Sequence, residues 1–143
     1  MKWRVLMLVA AGVLLAADAK EDAAKKDRAK LQGTWKVESA TKGGKQAPAE
    51  RIKEMRLVIQ DDKITVKEGT RGEAATYTLA PERKPAAIDV QPDRDGPKTI
   101  RGIYRLEGDT LTMCWSREGD RPTEFASKEG SDAILLVLKR AKK

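Results

Sequence analysis

The chain has 143 residues, with 29 Lys and Arg against 22 Asp and Glu, a formal charge of +7, no histidine and one cysteine. Without histidine, Ser-His and Cys-His nucleophile activation and the common imidazole zinc sites are excluded. A lone thiol excludes an internal disulfide, so core packing and the hydrogen-bonded backbone must carry stability.

Lys2 and Arg4, the apolar run Val5 to Ala17, and Ala17-Asp18-Ala19 follow the charged, apolar, small-residue order of a secretory signal with an A-x-A cleavage site. The run is about 13 residues, short of the roughly 20 that a membrane-crossing helix needs. The expectation is an exported protein, periplasmic or extracellular, starting at Lys20 with no membrane span after cleavage. Its formal charge would then fall from +7 to about +6. About 124 residues suit one domain with a real core.

Residues 20–30 are rich in alanine and charge without a broad apolar stripe. They read as a charged flexible leader that passes into a short helix near Asp27 to Leu31. From Leu31 the apolar period changes to two. "LQGTWKVES" reads as a first strand. "PAERIKEM", residues 48–55, reads as a short amphipathic helix with Ile52 and Met55 on one side, placed as a lid across the open end of the fold. In "RLVIQDDKITVK", Leu57 and Ile59, then Ile64 and Val66, share a face around an Asp61-Asp62 turn, which predicts a hairpin.

"EAATYTL" alternates as a half-buried strand, Pro81 and Pro85 interrupt pairing, and "AIDV" is a short strand. "TIRGIYRLEGDTLTMCW" sets Ile100, Gly102, Tyr104 and Leu106 on one face, turns at Gly108-Asp109, and sets Leu111, Met113 and Trp115 on one face of the return. "TEFAS" and "AILLVLKR" supply the last strands. The expected architecture is all-β: a small antiparallel up-and-down barrel of eight or nine strands spanning residues 31–143, with a short helix between the first two.

The segments "LQGTWKVESA", "DKITVK", "ATYTLAPERKPAAIDVQP", "TIRGIYRLEGDTLTMCW", "RPTEFAS" and "LLVLKR" together resemble an uncharacterised family of small exported proteins abundant in planctomycete bacteria. The resemblance runs from Leu31 to Arg140 and implies a domain type, with no catalytic residue to carry over. More distantly, Gly33-Thr34-Trp35 is similar to the Gly-x-Trp that opens the first strand of lipocalin-like barrels. In those barrels a basic residue near the chain end covers the tryptophan, and Arg140 or Lys139 stands in that place. Closing a sheet makes its first and last strands neighbours, so Gly33, Trp35 and Arg140 are assigned to barrel closure, a structural role.

Tyr77, Tyr104, Met113, Trp115 and Phe125 fall on inward-pattern positions and are candidates to line a pocket for a small apolar or amphipathic molecule. A solidly filled barrel is the competing reading. It would leave a structural or interaction protein of the cell envelope, contacting anionic polymer or a partner protein through a basic exterior. Nucleic acid is disfavoured, because the charge is spread along the whole chain rather than clustered.

Gln91, Asp93, Asp95 and Gly96 resemble part of a calcium loop. However, Gly102 stands where the bidentate Glu belongs, so a turn is favoured and no metal or other cofactor is assigned. Cys114 alternates away from the inward face and reads as an inert thiol. Glu124 and Asp89 are weighed as an acid/base pair and read instead as solvated strand charges, leaving a binding module with no catalytic residue.

Overall fold

The computed structural model describes residues 19–94, 98–116 and 119–141. Residues 1–18 of the proposed signal, which runs to Ala19, and the Asp95 and Gly96 positions of the calcium-like turn lie outside the described residues. Among the described residues nine strands form one antiparallel sheet: β1 (Gly33–Lys42), β2 (Lys45–Gln46), β3 (Met55–Gln60), β4 (Lys63–Glu68), β5 (Arg71–Ala80), β6 (Ala87–Pro92), β7 (Ile100–Glu107), β8 (Thr110–Ser116) and β9 (Ala133–Arg140). Sequential neighbours pair from β3 to β9, and β1 pairs with both β3 and β9, so eight strands close into a barrel. The two-residue β2 is an extra strand beside the far end of β1, whose near end pairs with β3.

Alternation explains the core. Trp35, Leu57, Ile59, Ile64, Tyr77, Ile88, Tyr104, Leu111, Met113 and Leu138 project into the barrel and form its main buried cluster. The register joins Tyr104 to Met113 and Gly102 to Trp115, as a tight Gly108 turn requires. Gly108 has φ of 59°, a conformation that glycine adopts without a Cβ penalty. Gly33 is extended into the left-handed half of the map at φ 121°, and a Cβ there would lie 3.5 Å from Arg140 Nη1. The positive φ favours glycine before the closure tryptophan, whereas that Cβ contact would be an ordinary one.

Three elements differ from the sequence reading. Residues 19–31 are helical throughout, the described part of α1, rather than a flexible leader with helix only near Asp27. Their half-buried residues Ala23, Ala24, Asp27 and Arg28 and the buried Leu31 follow helical spacing. Alanines and charges make up most of that face, so no apolar stripe announces it. "TEFAS" is not a strand. It belongs to an irregular strap, residues 119–132 as described, that crosses the outside of the sheet.

Under that strap lies a second cluster, Ile103, Cys114 and Ala133 packed by Phe125 and Leu135. It is the reason that outward-pattern positions of β7 and β8 are buried. The third difference is α2 (Ala49–Ile52), which is only four residues long, although Ile52 and Met55 do pack against the main core beside Ala40. No helix among the described residues is long and apolar enough to cross a membrane.

Candidate functional site

The inward-facing side chains are packed against one another: Trp35, Tyr77, Tyr104 and Met113 are at most 4% exposed. Of the five proposed lining residues, Tyr77, Tyr104 and Met113 belong to the main cluster and Trp115 packs half-buried against it. Phe125 does not join them. It lies in the outer cluster, with the Arg105 guanidinium 4.8 Å above its ring.

One end of the barrel is built from the start of β1, the Asp61 turn, the β5–β6 turn, the Gly108 turn and the end of β9, and α1 is fastened across it. Trp35 Nε1 donates to the Leu31 carbonyl at 2.9 Å. Arg140 covers Trp35 with its guanidinium 4.3 Å from the ring, and the two residues are direct cross-strand partners. Arg140 also donates from Nη1 to the Gln32 carbonyl (2.9 Å) and from Nη2 to the Lys30 carbonyl (2.6 Å). The carbonyls at a helix C-terminus have no intrahelical donor and carry the negative end of the dipole, so a guanidinium fork there supplies both charge and hydrogen bonds.

Further contacts fix the helix. Tyr104 Oη donates to Asp27 Oδ2 at 2.5 Å. Gln32 accepts from the Asp61 amide at 2.6 Å and donates to the Asp61 carbonyl, which also accepts from Tyr77 Oη at 2.7 Å. Burial raises the Tyr104 phenol above its ordinary value, reinforced by the negative Asp27 carboxylate that accepts its hydrogen bond. Burial likewise raises Tyr77, opposed by the nearby Arg28 charge. Arg28 Nε is itself buried without a hydrogen-bond partner among the described residues.

Outside this capped end lies a cleft of about 670 Å³ between α1, the β5–β6 turn and the β7–β8 hairpin. Among the described residues its walls include Lys30, Arg83, Lys84, Arg105 and Arg140 against a single carboxylate, Asp27, and between them lie Pro81, Pro85, Ala86, Leu106, Tyr104 and Phe125. Two of the expected pocket residues, Tyr104 and Phe125, thus border a concavity, though not the barrel interior. Asp27 accepts from Tyr104, Arg105 pairs with Glu107 at 3.1 Å, and Arg140 is occupied by Trp35 and the helix carbonyls. The side chains of Lys30, Arg83 and Lys84 have no ion pair among the described residues. Such a volume is typical of small-molecule sites, and apolar walls with a few convergent charges suit an anion with an apolar body.

The remaining candidates are not assembled into a site. Cys114 faces outward but is fully buried beneath the strap, with Sγ 3.5 Å from the Ala126 carbonyl, and burial pushes its thiol up. Asp89 is held by Arg121 Nη2 at 2.7 Å, while Glu124 pairs with Lys128 at 3.2 Å. Arg121 also donates to the Gly102 carbonyl at 2.8 Å, which pins the strap to the sheet. Asp93, from the calcium-like stretch, pairs with Lys63 at 3.2 Å. Comparison of the chain with protein-family models, with curated proteins and with solved structures finds no match.

Proposed function

We propose that the protein is an exported, lipocalin-like β-barrel binding module that holds a small amphipathic anion in the cleft beside α1, outside a filled barrel. The observation that carries this reading is the pairing of a packed interior with a cleft whose wall presents Arg83 and Lys84 next to Pro81, Pro85 and Leu106. A carboxylate, sulfate or phosphate head would meet the cations, and an acyl or aryl body would lie on the proline and leucine surface. Export rests on the order of residues 1–19 and on the resemblance to small exported planctomycete proteins. The absence of histidine and the burial of Cys114 support binding over catalysis.

Decanoate, a single-chain carboxylate, is a suitable probe by isothermal titration calorimetry. Arg83→Glu with Lys84→Glu is expected to weaken binding by about tenfold or more, because each reversal removes an attraction and adds a repulsion. Unchanged affinity in that variant, or no saturable binding to the unaltered protein, would defeat the proposal. N-terminal sequencing of protein expressed with its own leader checks export, and recovery of Met1 would contradict it.

A further inference from the structure

The two walls of the cleft beside α1 are both positive. Residues 20–30 of α1 carry five basic against three acidic side chains, a net charge of +2, and Lys30 shares the cleft with Arg83, Lys84 and Arg105 of the barrel wall. At about 670 Å³ the cleft is only about 9 Å across if compact, within the Debye length of roughly 10 Å at 0.1 M salt, so the walls repel across it. The helix is held firmly at one end only. Its last turn is anchored by the buried Leu31, by Arg140 on the Lys30 carbonyl and by Trp35 on the Leu31 carbonyl. Upstream of Lys30, the hydrogen bond from Tyr104 to Asp27 is the single side-chain tie to the barrel among the described residues, and the other half-buried positions are Ala23, Ala24 and Arg28. Docking buries Arg28 Nε without a hydrogen-bond partner among the described residues, a loss that release into water would reverse.

We infer, resting on the small-anion reading of the cleft, that α1 is a ligand-gated wall. An anion seated between Lys30 and the Arg83-Lys84 turn bridges the two positive walls and locks the upstream part of α1 onto the barrel. An empty cleft lets that part swing out on the Leu31 anchor. A ligand shifts such an equilibrium only by its differential affinity for the two states. The difference here is the Lys30 cation, which only the docked helix brings to the ligand, together with the replacement of a repulsion between walls by an attraction from each. Docking of α1 must in turn raise affinity by the factor by which the ligand favours docking.

The test follows hydrogen exchange of the α1 amides, residues 22–31, by mass spectrometry at about 0.02 M salt with and without excess decanoate, with calorimetry under the same conditions to report binding. The internal control is α2, which lies at the other end of the barrel and outside the cleft. Decanoate is expected to slow α1 exchange by about fivefold or more and to leave α2 unchanged. Saturable heat with unchanged α1 exchange overturns the gating and leaves the binding site standing. Equal slowing of α1 and α2 does the same, since general stabilisation would produce it. No saturable heat overturns both the site and the gate. A ligand-free arm tests the repulsion itself: Arg83→Gln with Lys84→Gln is expected to slow α1 exchange by about twofold or more, and unchanged or faster exchange there overturns the gating.

Discussion

Replacing Arg140 with alanine removes three contacts from one spot: the guanidinium stacked 4.3 Å from the Trp35 ring, and the donors to the Gln32 and Lys30 carbonyls that end α1. The side chain is 35% exposed, so each term takes a value below its fully buried limit. Stacking at such a site contributes about 0.5–1 kcal/mol. A cation at a helix C-terminus adds about 0.3–1 kcal/mol, and the two hydrogen bonds about 1 kcal/mol together once rehydration of the carbonyls is allowed for. The Asp109 pair, at 3.5 Å with its carboxylate 81% exposed, adds nothing to this.

The expected loss is therefore roughly 2–3 kcal/mol, a sizeable part of the 5–15 kcal/mol or so typical of a domain. Covering the tryptophan alone would give only about 1 kcal/mol. Trp35→Ala should cost roughly 3–5 kcal/mol, and the double variant should fall short of additivity by about 1 kcal/mol, because the stacking can be lost only once. Urea denaturation of the four proteins gives the cycle, and hydrogen exchange of the α1 amides gives a local readout that should speed up in Arg140→Ala. A loss below about 0.5 kcal/mol, or strict additivity, would refute the view that one guanidinium both closes the barrel and fastens the helix.

A Cβ at Gly102 would sit 2.9 Å from the Cys114 carbonyl oxygen and 3.0 Å from Trp115 Cβ, so Gly102→Ala should lose about 1–3 kcal/mol in urea; a neutral result would mean that the interior has slack. Cys114 should react with a disulfide reagent on the order of 100-fold more slowly in the native state than in urea, since it is fully buried and its thiol is pushed up; equal rates would contradict the strap's closure. The folded Tyr104 phenol is raised above its unfolded value of 10.0, so its contribution is complete below pH 10 and is lost as pH rises beyond. Tyr104→Phe should flatten the fall of the urea midpoint above pH 10, and identical slopes in the two proteins would contradict the assignment.

Period-two alternation was enough to place β3, β4, β5, β7, β8 and β9, because each alternates side chains between a packed interior and another environment. The Gly33-Thr34-Trp35 segment and Arg140 were legible for the same reason: closure obliges first and last strands to meet. What alternation could not reveal is which interior residues fill the barrel and which leave space, since Tyr77, Tyr104 and Met113 suit either state. Phe125 was misplaced because an irregular strap can bury an aromatic against the outer face without any period. The capping role of α1 was hidden for a related reason. Its inward face works through Asp27, Gln32 and the carbonyls of Lys30 and Leu31 rather than through an apolar stripe. Arg83 and Lys84 lie between Pro81 and Pro85 in a stretch that pattern reading treats only as a break; two adjacent cations held by flanking prolines were the available signal.

The central claim, that ligand is held beside α1 and not inside the barrel, is tested most directly by a ¹H–¹⁵N correlation spectrum recorded during titration with decanoate. Saturable shifts should gather on the amides of Arg83, Lys84, Ala86, Arg105 and Leu106, with the interior strand amides of Leu57, Ile64 and Val37 unmoved. Shifts concentrated on Leu57, Ile64 and Val37, or no saturable shift anywhere, would contradict the account.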